Sequence, residues 1–460
     1  MLFNSYPFIF VFLPLLIGAL FLLRTYTSYT WAHLFLVGVS ISFYMFLDAQ
    51  HIWVLLLSAF LNYGMSLYLA KNPKRFILVI GIAFNVLLLA GYKYLAFFAS
   101  LCDIKFPAVE APLGISFFTF HQLAYLIDIY WKRTQPTNAR DYALYVTFFP
   151  HLIAGPIMRY TQFAPQLSAY QPPNYALGCF FFCVGLFKKV VLADTFAIIA
   201  DKAFLINQTQ MLSPWEAWKG LLAYTWQIYF DFSSYSDMAI GLGLLCGIAL
   251  PINFIAPYQA TSISDFWRRW HISLSQFLRD YLYIPLGGNR FGYTRQVFAL
   301  LVTMGLAGLW HGAAWTFVLW GFLHGVLLVI AHTYRLTMGK RYTVPSGIGW
   351  LLTFGTVIML WVLFRVASLD EALKYYKALM SFASTPMVVT QEWVEIFLGA
   401  CIVFVCKPLV SWTQYDATPR VLFQQKNVSF LYGMMAGLLF LMSLKAMSGE
   451  VSRSFVYFVF

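Results

Sequence analysis

Charge is what this chain has least of. Of its 460 residues only 10% are charged, against roughly 25% in an ordinary soluble domain. Hydrophobic residues make up 61% and aromatic ones 20%. So few charges cannot cover the surface of a water-soluble protein of this length, so much of its area must face lipid. The short alternating segments of a transmembrane β-barrel are missing, which excludes that class. Apolar runs recur along the chain instead, many long enough to cross a bilayer at about 20 residues each. Internal repeats and low-complexity tracts are absent, and no break between runs is long enough for a soluble domain. The expected fold is an all-α polytopic membrane protein, one domain over residues 1–460.

Other absences narrow the chemistry. The six cysteines include Cys179 and Cys183, one helical turn apart, and Cys401 and Cys406 in another apolar run. None has the CxxC spacing or the histidine and carboxylate neighbours of a metal site, so no metal is expected. They read as small packing residues. No GxSxG elbow supports a serine nucleophile, and no Walker loop points to ATP. The net charge of +12 belongs in cytoplasmic loops, so it argues topology and not nucleic-acid binding. The first run, Pro7–Leu23, has no basic residues before it and no small-residue cleavage site after it, and is expected to be a retained span.

Candidate spans are Pro7–Leu23, Thr30–Leu47, Ile52–Ala70, Phe76–Ala99, Leu113–Trp131, Tyr142–Ile157 and Tyr175–Ala200. Then come Leu221–Phe232 running into Tyr235–Leu250, Gln296–Tyr334, Ile348–Val366, Trp393–Val405 and Val428–Met447. Lys71, Lys74 and Arg75 follow the third span, and Lys132, Arg133 and Arg140 the fifth. The loops between carry Asp48, and then Asp103, Lys105 and Glu110. The positive-inside rule puts the basic exits in the cytoplasm and the N-terminus outside.

Two segments break simple spanning. Ser262–Arg290 holds Arg268, Arg269, Arg279 and Arg290 among Trp, Phe, Leu and Tyr, a mixture suited to a helix lying at the cytoplasmic face or dipping in and out. Gln296–Tyr334 is flanked by Arg295 and by Arg335, Lys340 and Arg341. It must go out and return in about 40 residues, so each half is barely long enough to cross. The turn is expected near Gly312–Ala314, with His311 deep in the membrane.

Intramembrane ionisable groups invite a functional reading. His33, His51 and His332 lie near span ends. His121 and His151 read as hydrogen-bonded structural residues. His311 is flanked by Gly308 and Gly312, which allow close approach, with Trp310, Trp315 and Trp320 as an expected aromatic wall. His324 reads as structural and His271 as an interfacial anchor or a participant. A neutral buried histidine suits general-base work on a hydroxyl. Arg268 and Arg269 suit phosphate or anionic lipid headgroups. Asp231 and Asp237 could orient a histidine or pin helices. A transporter for a polymer or lipid precursor fits a polytopic chain with scattered polar groups too, as does a scaffold for an extracytoplasmic transferase.

Several long motifs carry a resemblance. "PLGISFFTFHQLAYLIDIY", "FPHLIAGPIMRY", "GLFKKVVLAD" and "YFDFSSYSDMAIGLG" contribute to it. The most specific are "PINFIAPYQATSISDFWRRWHISLSQFLRDYLYIPLGGNR" and "GLWHGAAWTFVLWGFLHG". In these the chain resembles the membrane-bound O-acyltransferases of the bacterial polysaccharide O-acetyltransferase group. Ser234 and His121 depart from that pattern, outside the catalytic motif.

The resemblance implies a ring of about 11–13 transmembrane and re-entrant helices around a thin spot with a tunnel, in a bacterial inner membrane. It implies a catalytic histidine at His311 and a second signature histidine at His271. Tentative donor-binding residues are Trp267, Arg268 and Arg269, with Asp231, Asp237, Trp310 and His324 as possible support. The implied activity is acyl transfer, most simply acetyl, with no bound cofactor. The donor would be a cytoplasmic thioester, acetyl-CoA or an acyl carrier protein. The acceptor would be a hydroxyl of an extracytoplasmic polysaccharide, peptidoglycan or partner protein, and membrane lipid the other expected contact.

Overall fold

The computed structural model describes residues 2–104, 109–168, 172–339, 342–381, 388–406, 408–413, 415, 430–449 and 453–456. Lys105, Lys340, Arg341 and the first two residues of the span expected at Val428 lie outside these. Among the described residues the structure is helical throughout, without strands. Eight helices among the described residues are long and apolar enough to cross a membrane, as in a multi-pass membrane protein.

The first four are α1 (Phe8–Tyr26), α2 (Tyr29–Leu47), α3 (Ile52–Lys71) and α4 (Arg75–Lys93). Next come α5 (Ile115–Tyr130) and α6 (Tyr175–Thr209), whose Lys188–Ala193 stretch widens to a π turn. The segment expected as a span at Tyr142–Ile157 is broken into Ala139–Thr147 and Phe149–Leu152 with a non-helical continuation. Pro150 and Pro156 explain the break: neither can donate to a helix ladder.

α7 (Pro214–Leu245) is one 32-residue helix, continuous through Ser233–Ser234, where the run Leu221–Phe232 is expected to pass into Tyr235–Leu250. Three short elements fill the arginine-rich segment: α8 (Ile263–Arg269), α9 (Ile272–Leu278) and a π turn at Arg279–Tyr283. Ser262 starts α8, its hydroxyl accepting from the Asp265 N–H at 3.2 Å, an N-cap with its acidic residue three positions on. Then follow α10 (Gly292–His311), α11 (Trp315–Thr337), α12 (Ser346–Arg365), α13 (Leu369–Met380), α14 (Gln391–Val405) and α15 (Phe430–Gly449). α13 had no counterpart among the expected spans, nor had the short helices Tyr160–Ser168 and Leu409–Thr413.

The chain forms two compact units. The first comprises residues 1–187, 234–252 and 413–459, and the second 188–233, 253–412 and 460. In the first, α5 packs against α3 and α4. Polar side chains tie these helices: Asn62 and Asn85 exchange amide bonds at 3.2 and 2.7 Å, and the Gln122 amide donates to Ser58 at 3.1 Å. All four are fully buried, and interhelical bonds of this kind hold helices where lipid supplies no hydrophobic drive. Outer faces of α1–α4 carry exposed Leu15, Phe46, Phe60, Phe76 and Leu87, as lipid contact requires.

In the second unit, α10 and α11 form a hairpin. Its turn falls at Gly312–Ala314, as the sequence predicts. At 20 and 23 residues and about 1.5 Å per residue, each arm just reaches the thickness of a hydrocarbon core. Glycine is required where the arms cross. A Cβ on Gly308 would stand 2.2 Å from the Phe317 carbonyl, and one on Gly321 would stand 2.2 Å from that of Met304. The two backbones touch, which any side chain would prevent.

Candidate active site

His311 is the last residue of α10. It is buried, and three aromatic rings stand edge to face around it: Trp310 at 4.8 Å, Trp320 at 5.2 Å and Phe364 of α12 at 5.0 Å between centroids. The expected wall is thus right for Trp310 and Trp320 and needs correction for Trp315. That residue opens α11 beyond the turn and is 53% exposed. Phe364 takes the remaining side, a residue that nothing in the local motif pointed to.

His271 reaches the same neighbourhood from another element. It precedes α9 with φ +42°, a left-handed conformation uncommon outside glycine. Asn253 holds the turn: its carbonyl accepts from the Ile272 N–H at 3.0 Å and its side-chain oxygen from the Ser273 N–H at 3.1 Å. The ring is fully buried, 4.6 Å from Phe232 and 6.2 Å from Trp310. Burial pushes its imidazole down to about 3, because desolvation penalises the charged form. The ring is neutral at physiological pH.

His324 lies one turn beyond Trp320 on α11. It is fully buried in a box of Trp320 at 4.8 Å, Trp267 at 5.1 Å and Phe266, parallel at 6.2 Å. The three histidines therefore alternate with two indoles in the order His271, Trp310, His311, Trp320, His324. Trp361 backs the row, parallel to Trp320 at 5.9 Å.

Trp267 is a wall of the His324 box, and the next two residues of α8 turn outward. Arg269 pairs with Asp265 at 2.9 Å. Arg268 is exposed and donates to the Ser264 carbonyl at 3.3 Å. Arg335 of α11 also reaches Ser264, donating to its hydroxyl at 3.4 Å. In the sequence Arg335 marks only the basic, cytoplasmic end of a span. Its spacing of 67 residues from Arg268 gave no signal of a shared location.

Asp231 is ion-paired. Its carboxylate accepts from Lys189 at 2.8 Å, and Lys189 also donates to Asp194 at 2.8 Å. Lys189 comes from the widened turn of α6 and is buried with Asp231. The adjacent Phe232 is the ring that meets His271. Asp237 is half-buried on the part of α7 that belongs to the first unit. No group of three or more metal-ligating side chains occurs among the described residues.

Comparison with known proteins returns one family model, MBOAT, membrane-bound O-acyltransferase family, matching residues 130–369. The chain is 41% identical over 423 residues to the peptidoglycan O-acetyltransferase of Helicobacter pylori, covering 83% of this chain and 80% of that protein. It is 39% identical over 404 residues to the probable alginate O-acetylase AlgI of Pseudomonas aeruginosa, covering 84% and 76%. A teichoic acid D-alanyltransferase of Streptococcus thermophilus is 27% identical over 283 residues, covering 55% and 68%.

Proposed function

Since this chain belongs to the membrane-bound O-acyltransferase family, we propose that it is an O-acetyltransferase of the bacterial inner membrane, passing an acetyl group from a cytoplasmic thioester to a hydroxyl of an extracytoplasmic cell-envelope polymer. The observation that carries the reading is the environment of His311: a buried imidazole, walled by three aromatic rings, where the hairpin turns.

In this reading His311 accepts the acceptor's hydroxyl proton as its oxygen attacks the thioester carbonyl. The C–S bond then breaks, the acetyl group stays on the oxygen, and the proton passes to the departing thiolate. The ring becomes positive in the transition state at the C-terminal end of α10, where the helix dipole favours a cation by about 0.3–2 kcal/mol. Rigid aromatic walls exclude water, which would otherwise compete as acceptor. His271, neutral and held by Asn253, helps form the donor side, and Arg268 with Arg335 offers the donor a cationic entry. A partner protein outside could carry the group onward to the polymer.

The test is His311→Ala, read as ester-linked acyl content of the cell-surface polymer per folded protein in the membrane. General-base catalysis is worth about a hundred- to ten-thousand-fold, so acylation should fall by that much at normal abundance. His311→Gln should not restore it, because an amide cannot take up a proton at neutral pH. His324→Gln serves as control and should retain activity. Wild-type acylation by a well-expressed His311→Ala protein would defeat the enzymatic reading and favour a transporter.

A further inference from the structure

The first unit holds a second pair of buried histidines that the reaction above does not use. His121 of α5 and His151 of the short helix Phe149–Leu152 are both fully buried. Their rings lie 4.5 Å apart with planes tilted by 35°. Glycines bring these elements together. Gly114, at φ +73° before α5, would place a Cβ 2.7 Å from the Leu152 carbonyl. A Cβ on Gly155 would stand 2.4 Å from the His151 Cα. The chain therefore doubles back tightly after His151, and Met158 returns to α5.

Backbone partners settle the tautomers. The Met158 N–H donates to His121 Nε2 at 3.3 Å, and an N–H can only donate, so that nitrogen carries a lone pair. His151 Nε2 bonds the Tyr145 carbonyl at 2.9 Å, and a carbonyl can only accept, so that nitrogen carries the proton. Neither ring has a carboxylate at ion-pair distance among the described residues, and an uncompensated charge there would be costly. Both rings are then neutral, which puts a proton on His121 Nδ1 and a lone pair on His151 Nδ1.

Those two Nδ1 atoms are buried, and neither has a hydrogen-bond partner among the described residues. They cannot satisfy one another in this arrangement. A ring N–H and a ring lone pair both lie in their ring planes, and these rings are stacked obliquely instead of meeting edge to edge. Leaving a buried donor and acceptor both unmade is unfavourable, because each has given up its bonds to water and gained nothing in return. A hydroxyl oxygen is the group that answers both, since it accepts once and donates once.

We propose that the His121–His151 pair binds a single hydroxyl oxygen, which accepts from His121 Nδ1–H and donates to His151 Nδ1. The hydroxyl belongs either to an internal water or to an organic alcohol, and the two sources are separable by experiment. Intact protein labelled with 15N-histidine, studied by multiple-bond 15N–1H correlation at neutral pH, reads the tautomers. His121 is expected as the Nδ1–H form and His151 as the Nε2–H form, each assigned by loss of its signals in His121→Gln and His151→Gln. The opposite tautomer in either ring, or a charged ring, overturns the proposal. A through-space cross-peak from His121 Hδ1 to water identifies water as the occupant. Its replacement, on adding glycerol, by cross-peaks to carbon-bound protons identifies an organic hydroxyl. Neither cross-peak means that nothing is bound, and the proposal fails. Should a Gln variant not fold, a wild-type structure that resolves ordered water decides: an oxygen-sized peak at hydrogen-bond distance from both Nδ1 atoms is expected, and its absence overturns the proposal.

Discussion

At the scale of single residues, the two arginines of α8 separate. Arg269 is engaged by Asp265 at 2.9 Å, so its charge is already shared. Arg268 is exposed and touches only the Ser264 carbonyl in the contacts described. If donor phosphate binds here, Arg268→Ala should raise the donor KM about ten-fold or more, the scale of one hydrogen bond to a charged group. Arg269→Ala should change it less. Arg268→Lys should recover only part, lacking the bidentate fork. Steady-state kinetics with purified protein check this; an unchanged KM in Arg268→Ala would leave the lipid-headgroup role.

The helices show why some of this was legible in sequence. "LWHGAAW" announced its own turn: an apolar run between basic ends, interrupted by Gly-Ala-Ala. Trp315 misled because a tryptophan beside a motif histidine looks like its wall, while the helix phase turns it outward. α7 reads as one run passing into another because "DFSSYSD" is polar. Lys189, 42 residues earlier, supplies the charge that lets Asp231 stay buried. That pairing is tertiary and leaves no local mark. α13 escaped because its face is half charged; only its Ser368 cap, accepting from Glu371 N–H at 3.2 Å, signals a helix start. A contrast within α10 tests the packing. Gly308→Ala must displace backbone and should cost about 3 kcal/mol, the upper range for overpacking. Gly305→Ala meets nothing within 4 Å and should be neutral or stabilising by up to about 1 kcal/mol. Thermal unfolding in detergent distinguishes them; equal effects would refute the close crossing.

On the scale of the whole molecule, hydropathy and charge settled the class, and the eight long apolar helices agree with it. The side that each loop faces is an expectation from the basic residues alone. Arg290→Cys, in a background without the six native cysteines, should resist an impermeant thiol reagent in intact spheroplasts and react after permeabilisation. A cysteine at Asp48 should behave oppositely. Reaction at position 290 in intact cells would invert the topology, and with it the direction of acyl transfer.

The alternating row of imidazoles and indoles has an optical and magnetic consequence. Trp310 and Trp320 each have a histidine ring about 5 Å away, so their excited states and ring currents sense what those histidines do. Fifteen tryptophans would blur ordinary fluorescence. Fluorinated tryptophan resolves them one by one, with Trp310→Phe and Trp320→Phe for assignment. The protein thus carries two built-in reporters, one on either side of His311, by which ligand arrival can be timed separately from turnover.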